Sequence, residues 1–253
     1  MCMDTTTGEE IEQPADIVVL TSYVFNNVRL LLQSGVGRPY DPVSGTGVIG
    51  KNYAYQVQKG SATGFFEKEE FNTFAGAGAL GMTVDDFNKV PKGTPSWGKE
   101  FKANSVKYAN RVLSVGGQGA SMPFKHHYLD LDPTYKDEFG DPLIRITYDF
   151  EEQDRQLAKY LSERCKEIMN EMGADHIDKM EELCPYNITT YQSTHNTGGI
   201  IMGADPNSSA VNNYSQIWEA ENVFVVGASE FGKTLSEFRR TATSIIDEEE
   251  EIF

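Results

Sequence analysis

The sequence predicts an α/β protein of the α+β kind, with a partial parallel sheet and an antiparallel sheet backed by helices. Three observations carry that reading. DIVVL at 16–20 is a short apolar run followed at once by helix-periodic sequence and a glycine stop. PLIRITYDF at 142–150 alternates apolar and polar residues and leads directly into the longest amphipathic stretch of the chain. NVFVVGAS at 222–229 is a second apolar run, and it ends in small residues.

Taken in order, 16–20 reads as a buried strand. The helix after it places Val24, Phe25, Val28, Leu31 and Leu32 on one stripe, and Gly35 ends it. Residues 38–100 are rich in Gly, Pro and Asn and show no long helical period. Residues 104–150 read as a strand region. In its last strand Ile144, Ile146, Tyr148 and Phe150 face one way, and Arg145, Thr147 and Asp149 the other. The helix predicted over 153–172 lines up Leu157, Tyr160, Leu161, Cys165, Ile168, Met169 and Met172, and Gly173 stops it. The strand at 222–229 reads as buried, and small residues at its end permit close approach of a ligand. The sequence after Phe231 reads as one more helix with a solvated acidic end, DEEEEIF.

The bulk composition bounds function. At 253 residues the chain suits one large or two modest domains, and 39% hydrophobic residues suffice for a core. A formal charge of -16 repels phosphate backbones, and no basic patch with interleaved aromatics appears, which excludes nucleic-acid binding. No apolar run reaches membrane-spanning length, so no transmembrane segment is expected. The polar, acidic N-terminus reads as no secretory signal, and the N-x-S/T triplets at Asn187, Asn207 and Asn213 read as accidental. Cys2, Cys165 and Cys184 form no zinc pattern and no disulfide framework; a Cys165–Cys184 bridge is possible, and Cys165 reads as helix core. His126, His127, His176 and His195 lack ligand spacing, so no metal site is expected, and the His126–His127 pair reads as surface.

Two glycine-bearing motifs ask for chemistry. GAGALG at 76–81 has the spacing G-x-G-x-x-G, but the MTVDDFNKVPKG after it does not open a helix. It reads as a close-packed turn. STHNTGGIIMG at 193–203 sets His195 and Asn196 before Gly198 and Gly199. Imidazole is suited to taking a proton near neutral pH, and glycines let a backbone approach a ligand.

Three segments in this order resemble the glucose-methanol-choline (GMC) oxidoreductases. They are ADIVVLTSYVFNNVRLLLQSGVG at 15–37, STHNTGGIIMGADPNSSAVNN at 193–213 and WEAENVFVVGAS at 218–229. PYDP at 39–42, GKNYAYQ at 50–56, and the AGALG and DDFN segments resemble the gluconate, fructose and sorbitol dehydrogenase branch of that family. The resemblance spans about residues 8–231. It implies a flavoprotein that uses FAD to oxidise a CH–OH group of a sugar acid or polyol, gluconate 2-dehydrogenase-like. His195 is implied as the base that takes the hydroxyl proton. Thr21, Ser22, Asn196, Gly227, Ala228 and Ser229 are implied as cofactor-binding residues. Residues 1–60 and 190–253 are expected to form a remnant of the FAD-binding domain, and 61–189 the substrate-binding domain. A small subunit and a cytochrome c electron acceptor are implied partners. The branch points to the periplasm, although no export signal is visible.

The sequence also departs from the family pattern. No glycine-rich strand–turn–helix precedes Asp16, Tyr23 stands where the family has glycine, and no Asn-Pro-Thr segment follows Phe231. The expectation is a fragment that does not hold FAD tightly alone, with the second catalytic residue missing. The competing expectation is an inactive remnant that at most binds a sugar or a partner.

Overall fold

The computed structural model describes residues 2–4, 6–55, 57–72, 90–119, 121–180, 182–187 and 195–231. In chain order the elements are β1 (Cys2–Met3), β2 (Glu10–Ile11), β3 (Val18–Leu20), α1 (Val24–Ser34), β4 (Ala54–Tyr55), β5 (Val57–Phe65), α2 (Gly98–Lys107), β6 (Val112–Gly119), β7 (Tyr128–Lys136), β8 (Pro142–Thr147), α3 (Glu152–Glu171), β9 (His176–Lys179), β10 (Asn196–Thr197), β11 (Gln216–Ile217) and β12 (Ala220–Val225). The mixed α/β class expected from sequence is therefore present, among the described residues, as several small sheets and three α-helices. The GAGALG turn, the DDFN segment and the helix expected after Phe231 lie outside the described residues.

The chain divides into two compact units, Met1–Tyr55 with Ser121–Asp149 and Thr194–Phe253, and Gln56–Ala120 with Phe150–Ser193. Segment 121–149, expected with 61–189, lies in the first unit.

In the first unit α1 forms as its spacing predicts. Val24, Val28 and Leu31 are buried, and Gly35 closes the helix in the left-handed region at φ 63°, its N–H meeting the Leu31 and Leu32 carbonyls. Each buried aliphatic side chain stabilises by about 1.5–3 kcal/mol. These three pack with Val48, Ile49, Tyr53, Leu129, Ile200, Val211, Ile217 and Val225. α1 also packs on the antiparallel β7–β8 hairpin. Arg29 fixes that contact: its Nη2 donates to Asp137 Oδ2 at 2.6 Å and its Nε to the Pro142 carbonyl at 2.8 Å.

β3 and β12 pair in parallel, Val18 with Val223 through Leu20 with Val225. The sheet order is β11-β12-β3, so among the described residues β3 is an edge. The expected burial of both strands does not hold. Ile17, Val18 and Val19 are exposed, as is Val226, and only Val225 of β12 is fully buried. The strands form because β-branched residues favour extended backbone; burial needs a second layer, which Leu20, Val223 and Val225 meet in the core of this unit while Ile17 and Val19 stay exposed.

In the second unit β5 lies between β6 and β9, antiparallel to both. α3 covers this sheet. The expected pairing of the 142–150 strand with the helix is thus corrected, since β8 sits against α1 and the sheet behind α3 comes from glycine-bearing strands. The buried face of α3 is also narrower than expected. Asp154, Ala158, Ser162, Cys165 and Met169 are buried, whereas Tyr160, Ile168 and Met172 are exposed. The reason is the floor beneath: a Cβ on Gly60 would sit 2.1 Å from Leu161 Cβ, and one on Gly119 2.3 Å from Leu157 Cδ2. The helix drops onto glycine, and Leu157 and Leu161 are the side chains that rest directly against these strands. Cys165 is core as expected, its Sγ 3.4 Å from the Gly60 carbonyl, and all three cysteines are free thiols.

Candidate functional site

The carboxyl ends of the parallel strands β3 and β12 lie at the start of α1. In open α/β sheets this is where ligands bind, because loops diverge there and a helix N-terminus presents unpaired N–H groups. Thr21 and Ser22 follow β3 directly and are exposed. Gly227 follows β12, exposed, with φ 123° and no atom within 4 Å of an added Cβ. Ala228 is half-buried beside it.

A buried amide ties the two strand ends together. Asn27, on the first turn of α1, accepts at Oδ1 from both the N–H and the hydroxyl of Ser22, each at 2.9 Å. Its Nδ2 donates to Ser229 Oγ at 2.9 Å. Ser229 is 1% exposed, so it holds the scaffold rather than an open surface. Asn27 escaped the sequence reading. Its signal was there, however: a polar residue on the stripe of Val24, Val28 and Leu31 must find buried partners.

The 195–202 segment runs against the turn after β12. Gly198 N donates to the Ala228 carbonyl at 3.0 Å, Ile200 N to Ser229 at 3.0 Å and Met202 N to Glu230 at 3.1 Å. His195 is exposed and Asn196 is buried. Gly198 and Gly199 have φ of 82° and 85°, and their missing side chains make room for the chain itself. A Cβ on Gly198 would lie 2.1 Å from the Asn52 carbonyl oxygen, and one on Gly199 2.7 Å from Val28 Cγ2. These glycines therefore seat the segment on its own scaffold.

Asn196 is gripped at both ends of its amide. The Tyr53 hydroxyl donates to Oδ1, and Nδ2 donates to the Tyr23 hydroxyl. Tyr53 is fully buried. Tyr23 stands at the head of α1 with φ 80°.

Glu230 completes the turn. It is 4% exposed, its Oε1 accepts from Gly227 N at 3.2 Å, and its Oε2 is buried without a hydrogen-bond partner among the described residues. Burial raises its carboxyl above the ordinary range, against the Ser215 hydroxyl and the Gly227 N–H, which favour the anion. His127, expected at the surface, is buried at 3% between Phe124 and Tyr148, while His126 is exposed. Its neighbours in the fold, which spacing does not reveal, account for the difference.

Residues 123–244 match the family described as GMC oxidoreductase. Residues 123–244 belong to the GMC oxidoreductase family. The wider chain is 38% identical to the gluconate 2-dehydrogenase flavoprotein of Pantoea cypripedii, an alignment covering 90% of this chain and 42% of that protein. It is 27% identical to the 2-methyl-1,2-propanediol dehydrogenase of Mycolicibacterium austroafricanum, over 90% of this chain and 45% of that protein. A shorter match, 33% identical over 104 residues, links it to the fructose dehydrogenase large subunit of Gluconobacter japonicus, covering 41% of this chain and 18% of that one. The chain thus spans less than half the length of the curated relatives it matches. Among the described residues no helix is long and apolar enough to cross a membrane.

Proposed function

We propose that this chain is part of an FAD-dependent dehydrogenase that oxidises a CH–OH group of a sugar acid or polyol, with His195 as the base. The observation that carries the reading is the 38% identity, over 90% of the chain, to a gluconate 2-dehydrogenase flavoprotein. Bound FAD would supply the acceptor for the substrate's hydride. Thr21, Ser22, Gly227 and Ala228 fit a role in holding it, being small and at the open carboxyl ends of two parallel strands. Asn196 and Ser229 fit a role one step back, since their side chains are buried and already engaged with Tyr23, Tyr53 and Asn27. On this reading residues 1–60 and 190–253 serve the cofactor and 61–189 the substrate.

His195 takes the substrate hydroxyl proton. Its exposure leaves the imidazole accessible, and the buried Asn196 beside it fixes the backbone from which it projects. The name of one relative, a large subunit, supports placement in a multi-subunit enzyme; a small subunit and a cytochrome c acceptor complete that proposal.

The test begins with absorbance. The purified chain is mixed with FAD, desalted, and its visible spectrum recorded. Retained flavin bands are expected if the strand ends hold the cofactor, and their loss removes the cofactor assignment from this chain. In flavin-loaded protein assayed with gluconate, polyols and a dye acceptor, His195→Ala is expected to lower kcat by roughly 10²–10⁴-fold while flavin stays bound. Turnover unchanged in that variant removes His195 as the base.

A further inference from the structure

We propose that Tyr23 is a positioning residue for the His195–Asn196 turn and acts through its hydroxyl on the Asn196 amide. The proposal rests on the reading of His195 as the base, and it starts from a strained backbone. Tyr23 has φ 80° and ψ 155°, a region that favours glycine and that a bulky side chain enters at a cost. Such strain persists only where the surroundings hold it, and it then points to a use for the side chain.

Burial is not that use, because Tyr23 is 41% exposed. Helix capping is not either: Tyr23 makes no side-chain cap bond, and the first-turn contact, Asn27 N to its carbonyl at 2.8 Å, is a backbone one that any residue supplies. The side chain contributes an edge-on ring contact with Phe25, centroids 5.4 Å apart, and a hydroxyl that accepts from Asn196 Nδ2.

The other end of that amide is bound to a rigid point. Tyr53, which donates to Asn196 Oδ1, is fully buried, and its ring is wedged between Phe25 at 5.6 Å and Tyr148 at 5.4 Å. Its N–H donates to the His127 carbonyl at 3.0 Å. The backbone of Asn196 pairs with Tyr55 across β10 and β4. With its oxygen on Tyr53 and its nitrogen on Tyr23, the amide cannot rotate without losing both bonds. Residue 196 is thereby held on three sides, and His195 is covalently next to it. Tyr23 is the member of this clamp that stands at the N-cap of α1, so it ties the base to the start of the same helix that organises Ser22 and Ser229.

Two variants separate the hydroxyl from the strain. Tyr23→Phe keeps the ring and the backbone but removes the acceptor. Tyr23→Gly removes the ring and relieves the backbone. Amide hydrogen exchange of the chain without cofactor, the melting temperature, and kcat and KM of the flavin-loaded protein are measured for each. Both variants are expected to speed exchange at residues 196–199 by about tenfold, the loss of one good hydrogen bond. Both are expected to lower kcat by about tenfold with KM within about twofold, since a displaced base costs transition-state stabilisation and not binding. Tyr23→Gly is expected to match or exceed wild type in melting temperature. Exchange at 196–199 and kcat both unchanged in Tyr23→Phe would overturn the proposal. So would faster exchange spread over the whole of residues 6–55, which marks an ordinary structural residue. The His195→Ala variant keeps the two readings apart: if it turns over normally the base assignment falls, while local exchange in Tyr23→Phe still reports whether the clamp exists.

Discussion

Two sheets of this molecule invert what their sequences suggest. The β3–β12 pair carries Val18, Val19, Val223 and Phe224, and Val18, Val19 and the preceding Ile17 are exposed. The β5–β6–β9 sheet carries Gly60, Gly64, Gly117 and Gly119, and α3 is sunk into it. β-Branching along a strand therefore favours the extended backbone, while the layer laid against it sets burial. A glycine in a strand weakens the strand and at the same time lets a helix come closer.

The largest expected effect attacks the glycine floor. Gly60→Val places a Cβ 2.1 Å from Leu161 Cβ and 3.0 Å from the Leu161 carbonyl carbon and the Ser162 nitrogen, so backbone must move. A loss of about 3 kcal/mol is expected, at the upper end of overpacking costs. Urea unfolding followed by circular dichroism measures it. A loss below about 0.5 kcal/mol, the range of ordinary surface substitutions, would break the comparison, because α3 could not then rest on Gly60.

The same contrast explains what was legible in the sequence. α1 was readable end to end: five apolar residues at helical spacing and one glycine stop correspond to a helix that packs on one side only. β5 was not, because VQKGSATGF carries glycines inside a stretch rich in turn residues; β6 falls within the 104–150 strand region, but its glycines gave no sign of the helix that packs on them. α2 was missed for another reason. It buries no residue, so no periodic apolar face exists to be read. At the candidate site, the small residues at strand ends and the His-Asn-Gly-Gly pattern were visible. Asn27 with Ser229 and Asn196 with Tyr23 and Tyr53 were not, since those partners lie 202, 173 and 143 positions apart and only the fold brings them together.

An intermediate effect is expected at Glu230, where the parallel sheet hands the chain to its candidate site. Burial raises this carboxyl above its ordinary value of 4.5. The folded chain then holds the proton more tightly than the unfolded chain does. Stability from the protonated form is fully present below the unfolded value and is lost as pH rises through the raised folded value. Glu230→Gln cannot titrate. Its melting temperature should match wild type near pH 4 and exceed it at pH 8, where the wild-type carboxyl must ionise in a buried position. Parallel pH profiles for the two proteins would show that the carboxyl ionises in the folded chain as freely as in water, and the sheet end would then be as open at Glu230 as it is at Gly227.

The smallest effect is the most informative about the exposed sheet. Val19 pairs with Phe224 in β3 and is 53% exposed. Val19→Thr keeps the branched Cβ that favours extended backbone and replaces one methyl with a hydroxyl. With solvent at hand the hydroxyl needs no protein partner, so the melting free energy should change by less than about 0.5 kcal/mol. The same substitution at a fully buried valine such as Val28 leaves a hydroxyl in the core and costs roughly 1–3 kcal/mol. The ratio between these two valines is a direct reading of which apolar residues the chain covers. If Val19→Thr cost as much as Val28→Thr, β3 would be buried in solution by another layer, and the contrast between the two sheets would disappear. A small cost at Val19, together with slower aggregation of the variant, is what an uncovered apolar edge strand requires.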